Sequence, residues 1–149
     1  MPIEALPYTL AILCAALISL VVTFYALRIN TSSLAKKAFL VFMVGITIWC
    51  LSYAFEVASS SLQIKLFWAN LQYVGVMLMP PAYLAFILYY THNERYLTKV
   101  TWAILALLSI SVVTLVWTDA SHNFLRINTH LIYVPFPELE FIKVTSFLW

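Results

Sequence analysis

The sequence predicts an all-α integral membrane fold, four transmembrane helices followed by a small extracytoplasmic β-hairpin, and three observations carry that prediction. Hydrophobic residues make up 64% of the 149 positions and charged residues only 9%, with a mean hydropathy of +0.94, far above the range of water-soluble domains. Four stretches have no Lys or Arg in their interiors and reach the roughly 20 residues needed to cross about 30 Å of hydrocarbon at about 1.5 Å per residue. Aromatic residues reach 16%, with five Trp and nine Tyr, as expected where amphipathic rings sit between water and lipid.

The spans are expected at residues 5–27, 38–59, 66–91 and 100–118. Each is apolar on nearly all faces, which a helix of a water-soluble bundle would not be. The start, MPIEALPYTL, has no positive charge ahead of an apolar run that is itself too long for a signal peptide, so the first span is expected to remain as an anchor. Orientation follows from the connections. The one after the first span, RINTSSLAKK, carries Arg28, Lys36 and Lys37, the one after the third carries Arg95 and Lys99, and the one between the second and third has only Lys65. The positive-inside rule then places the first and third connections in the cytoplasm and the N-terminus outside; Arg126 and Lys143 weigh little, because longer segments translocate largely regardless of charge.

From Asp119 the chain turns polar. LRINTHLIYVPFPELEFIKV holds two β-prone runs around PFPE, which predicts a loop and hairpin over residues 119–146 on the outer face. TSFLW then reads as the first turn of a fifth span near residue 147, so the chain is expected to be a piece of a longer protein rather than a complete four-span one with an outer tail.

Polar residues inside the spans are the candidates for function. An ionisable side chain in a span costs about 2.5–3.5 kcal/mol on insertion scales, and Glu56 is the clear case. Trp49, Tyr53 and Glu56 fall at i, i+4 and i+7, on one helix face, with Glu56 roughly 6 Å below the outer boundary. The next span runs back inward and opens LFWANLQYVG, which sets Trp68, Asn70, Gln72 and Tyr73 at depths of roughly 3 to 11 Å. These seven side chains are the expected ligand-sensing layer. The competing reading makes the amides interhelical glue worth about 0.6 kcal/mol each and makes Trp68 and Trp117 belt residues. Pro80 and Pro81 interrupt the third helix near mid-membrane, as a hinge or as a static bend.

Other chemistry is not indicated. Cys14 and Cys50 lie within apolar runs and read as buried small residues. His92, His122 and His130 show no metal-ligand spacing, and no phosphate loop, nucleophile elbow or paired carboxylates occur, so neither metal, cofactor nor catalysis is expected. The NTS triplet at Asn30 would face the cytoplasm and mean nothing there. A net charge of +2 without a basic block argues against nucleic acid as a partner.

Three segments, WCLSYAFEVASS, LFWANLQYVGVMLMPPAYLAFILYYT and WTDASHNFL, resemble the N-terminal seven-transmembrane sensor region of bacterial histidine kinases, which is also found ahead of diguanylate cyclase modules. The likeness covers most of residues 49–125, and Trp49, Tyr53, Glu56, Phe67, Trp68, Gln72, Tyr73, Gly75, Pro80, Thr118 and His122 match the family pattern. Two features depart from it, both at the outer loop expected to hold Asp119 and His122: Asp119 stands where asparagine is common, and KVTSFLW replaces a Gly-rich approach to the fifth span. The resemblance implies a seven-helix bundle in the bacterial cytoplasmic membrane, with three more spans and a cytoplasmic transmitter beyond Trp149, a homodimeric parent, lipid around it and an unidentified small ligand or peptide as stimulus. Any enzymatic activity would belong to the transmitter. A transporter or channel component and a small membrane scaffold are the alternatives.

Overall fold

A computed structural model describes residues 6–122, 127–134 and 139–145. It contains four helices, α1 (Leu6–Arg28), α2 (Leu34–Ala58), α3 (Leu62–Tyr90) and α4 (Lys99–His122), with a single turn of 3-10 helix at Glu94–Tyr96 before α4. All four are long and apolar enough to cross a membrane. They correspond to the four expected spans, but α2 and α3 each begin four residues earlier than hydropathy suggests. For α2 the reason is a cap, which fixes the start of a helix independently of lipid contact. Ser33 accepts a hydrogen bond from the Lys36 backbone N–H at 3.1 Å, which starts α2 ahead of its two lysines. Lys36 in turn folds back, its Nζ donating to the carbonyls of Leu27 at 3.3 Å and Ile29 at 2.5 Å, where α1 runs out.

The α2–α3 pair is the centre of the molecule; α1 packs on α2, and α4 on α3. Only residues 59–61 join α2 to α3, so the two lie antiparallel. Their register can be followed along the seam: Phe39 meets Phe86 and Phe42 meets Tyr83, each with ring centroids 5.5 Å apart, and Phe55 meets Trp68 at the other end. Between these aromatic contacts the backbones touch. A Cβ on Gly75 would lie 2.7 Å from the Gly45 carbonyl oxygen and 2.8 Å from the Trp49 backbone nitrogen, closer than real Cβ contacts come. Helices gain little from hydrophobic burial inside lipid, so small residues that let backbones approach are what hold such a pair together. On the other flank of α2, the Ser19 and Thr47 hydroxyls sit 2.7 Å apart in the buried α1–α2 seam.

Helix α3 ends in a Schellman arrangement. The Asn93 N–H reaches the Leu88 carbonyl at 2.8 Å and the His92 N–H reaches that of Tyr89 at 3.4 Å. His92 takes the left-handed conformation (φ 55°) that closes the motif, a position glycine usually fills. Thr98 then accepts from the Thr101 N–H at 3.2 Å and starts α4.

Two expectations change beyond residue 118. Asp119 and His122 were expected in an outer loop, but α4 continues through both, because the helical ladder need not stop where hydropathy falls. Asp119 is buried on that last stretch of helix. Further on, the backbone pairs β1 (Ile127–Val134) with β2 (Leu139–Thr145) in antiparallel register, from Val134 opposite Leu139 to Ile127 opposite Thr145. Their connection and both flanks lie outside the described residues, so the hairpin expected there is not counted in the fold, which rests on the helices alone. The fifth span expected near residue 147 also lies outside them.

Candidate functional site

The end of the bundle where α2 turns into α3 collects its polar side chains. Glu56 stands two residues before the last residue of α2, and Gln72 stands on α3 one turn beyond Trp68. Gln72 reaches back across the seam, and its Nε2 donates to the Glu56 carboxylate at Oε2. Glu56 is held a second time through its backbone: Lys65 Nζ donates to the Glu56 carbonyl at 3.0 Å. The last carbonyls of a helix have no partner within it and carry its negative dipole end. An ammonium group meets both needs. Ser59 completes the cap, its N–H and Oγ both donating to the Phe55 carbonyl, at 3.1 and 2.6 Å.

Lys65 is 2% exposed, an extreme value for a lysine. It comes from the first turn of α3, where its N–H closes the first turn on the Ser61 carbonyl at 2.9 Å. By hydropathy alone it belongs to the connection between the second and third spans. The signal that identifies it is spacing, since Lys65, Trp68 and Gln72 fall at i, i+3 and i+7, on one helix face.

Aromatic rings close the layer. Phe55 stacks on Trp68 with centroids 4.7 Å apart and planes 24° from parallel, and Phe67 sets its edge against Trp68 at 5.4 Å and Trp117 at 6.0 Å. Three helices are thereby joined at this end, α2 through Phe55, α3 through Phe67 and Trp68, and α4 through Trp117. Offset and edge-on arrangements of this kind are worth about 0.5–1.5 kcal/mol per pair beyond area burial.

Of the seven candidate residues, the structure brings Glu56 and Gln72 into direct contact and places Trp68 beside them through Phe55. Asn70 is half-buried, whereas Trp49, Tyr53 and Tyr73 present exposed side chains, 42%, 38% and 38% accessible. Trp49 enters the seam through its backbone rather than its ring. Pro80 and Pro81 lie inside α3, which continues as a helix through both. The side chain of His122 lies outside the described residues. Among the described residues, no group of three or more His, Cys, Asp or Glu is placed to hold a metal ion. Phe55, Phe67, Lys65 and Trp117 are the members of the layer that the sequence reading did not assign to it.

Four apolar helices, with a carboxylate, an amide and a buried ammonium gathered at one end, describe a multi-pass membrane protein. Residues 11–147 match a protein family described as the N-terminal 7TM region of histidine kinase. The chain belongs to that family. The family is the membrane sensor region of histidine kinases, a part distinct from their catalytic domain, and the four apolar helices fit such a multi-pass region. Neither the curated proteins nor the solved structures provide a match to this 7TM region.

Proposed function

We propose that this 7TM region receives its stimulus at the Glu56–Gln72–Lys65 layer, on the outer side of a bacterial cytoplasmic membrane, and relays it to a cytoplasmic histidine kinase or cyclase module of the same polypeptide. The hydrogen bond from Gln72 to Glu56 carries the reading. It places a carboxylate, which is costly in a span, against the adjacent helix, so a ligand that competes for the carboxylate acts directly on the α2–α3 contact. Donors, acceptors and half-exposed aromatic faces in one layer suit a small amphiphilic molecule or a short peptide. Transporter sites gather near mid-membrane on broken helices, and this layer sits at one end instead.

Charge distribution supports the orientation. Arg28, Lys36, Lys37, Arg95 and Lys99 all lie at the end of the bundle opposite the layer, and the single lysine of the α2–α3 end, Lys65, is buried against Glu56. In a variant lacking Cys14 and Cys50, a membrane-impermeant thiol reagent added to intact cells is expected to label Ser60→Cys and to spare Thr31→Cys. The reverse pattern would turn the layer to the cytoplasm.

The sensing role is checked in the full-length kinase by Glu56→Gln, which keeps the shape and removes the charge. The dose–response curve of autophosphorylation against stimulus is expected to shift by about tenfold, the equivalent of about 1.4 kcal/mol for one charge-assisted hydrogen bond. An unshifted curve removes Glu56 from recognition.

A further inference from the structure

Proline has no N–H, so a proline inside a helix leaves the carbonyl four residues earlier without its usual donor. For Pro81 that carbonyl belongs to Met77, midway along α3. Lipid contains no water to satisfy such a group. In the structure Ser109 of α4 supplies the missing donor, its Oγ lying 3.1 Å from the Met77 carbonyl oxygen. Ser111 and Thr118 of α4 donate back to carbonyls of their own helix and Thr101 to the Tyr96 carbonyl, whereas Ser109 crosses to α3.

The seam around this bond is open. A groove of about 380 Å³ runs along it, walled by Val74, Met77 and Pro81 of α3 and by Trp102, Ser109 and Val113 of α4. The contrast with the other side of α3 is sharp, because there Gly75 touches the backbone of α2 and leaves no room. Helix α3 is thus closed against α2, while its contacts with α4 include the Phe67–Trp117 ring contact at one end and the Ser109 hydrogen bond midway along the helix.

We infer that Ser109 is a latch: its bond to the carbonyl freed by Pro81 holds α4 against the α2–α3 pair, and its release lets α4 move into the open seam. Proline and serine are then one device. The proline frees an acceptor that a donor on the neighbouring helix satisfies, and the groove supplies the space for a second position of α4. Interfaces with two discrete arrangements are what carry a conformational signal through a bundle. The inference depends on the membrane setting but not on ligand recognition at Glu56.

The test uses the full chain in lipid vesicles, with Cys14 and Cys50 replaced by alanine and with Val74→Cys and Val113→Cys placed on the two walls of the groove. The readout is the rate of bridging by a short bis-thiol reagent. Ser109→Ala is expected to change that rate by about three- to tenfold, the range of a membrane interhelical hydrogen bond, and Ser109→Thr to restore it. In a Pro81→Ala background the restored backbone N–H at position 81 satisfies Met77 within α3, so Ser109→Ala is expected to have no further effect. Equal effects of Ser109→Ala in both backgrounds, or none in the proline background, would overturn the latch. If Ser109→Ala alone fails to fold, recovery of folding in the double variant supports the latch and failure of the double variant refutes it. Bridging is read without kinase output, so its failure leaves the sensing proposal standing.

Discussion

Gly75→Ala is expected to push α2 and α3 apart and to destabilise the bundle by about 1–3 kcal/mol, the usual cost of overpacking a closed seam. The new methyl group would lie 2.7 Å from the Gly45 carbonyl oxygen and 2.8 Å from the Trp49 nitrogen. Both are backbone atoms, which cannot rotate away, so relief requires moving a whole helix. Gly45→Ala serves as the internal comparison. Its methyl would meet the Gly75 oxygen at 3.0 Å and the Met79 side chain at 3.1 Å, and the latter can yield, so the cost should be smaller. Unfolding of the two variants by increasing denaturing detergent, followed by loss of helicity, ranks them. A Gly75→Ala protein as stable as the parent would show that the two backbones are not in contact.

Lys65→Met carries the second large effect. Methionine keeps most of the apolar stem and loses the ammonium, so the Glu56 carbonyl loses its cationic donor at the end of α2. A hydrogen bond to a charged group is worth about 1.5–3 kcal/mol, and the loss should fall in that range. Because the cap lies beside the connection at residues 59–61, the change should also appear locally, as faster proteolysis there. Lys65→Arg, which retains the charge, should recover part of the loss. If Lys65→Met leaves both stability and cleavage unchanged, the buried lysine does not hold Glu56, and the α2–α3 contact at this end reduces to the Gln72 bond and the rings. Together the two variants separate what holds α2 to α3 at the middle from what holds them at the end.

Much of this was legible before any coordinates. Four apolar runs of sufficient length leave few alternatives to four helices, because a backbone in lipid must satisfy its own hydrogen bonds. The shared level of Glu56 and Gln72 was also legible, since a short connection and a fixed rise per residue set which positions of two antiparallel helices face each other. Tyr53 and Trp49 show the weakness of that argument. They share a helix face with Glu56 by spacing, yet their rings are exposed, and spacing cannot say how far a contact extends around a helix. Lys65 falls outside the span by hydropathy, which starts the third span at residue 66, whereas the hydrogen-bonded helix starts at Leu62 and carries the lysine in its first turn. Asp119 and His122 were misplaced at the other end for the same reason: composition marks the edge of the apolar run, and hydrogen bonding marks the end of the helix.

By itself, then, the amino-acid order determined that this is a membrane bundle, which residues in it are costly to keep, and that Pro80 and Pro81 would interrupt the hydrogen-bond ladder of the third helix. Those are properties of a single chain segment in a given solvent. Only the tertiary structure decided that Gly75 meets Gly45, that Lys65 caps the carbonyl of Glu56 and that Ser109 answers Pro81. Each of these pairs residues on different helices, and the rotation of one helix against another follows from how side chains of both fill the space between them.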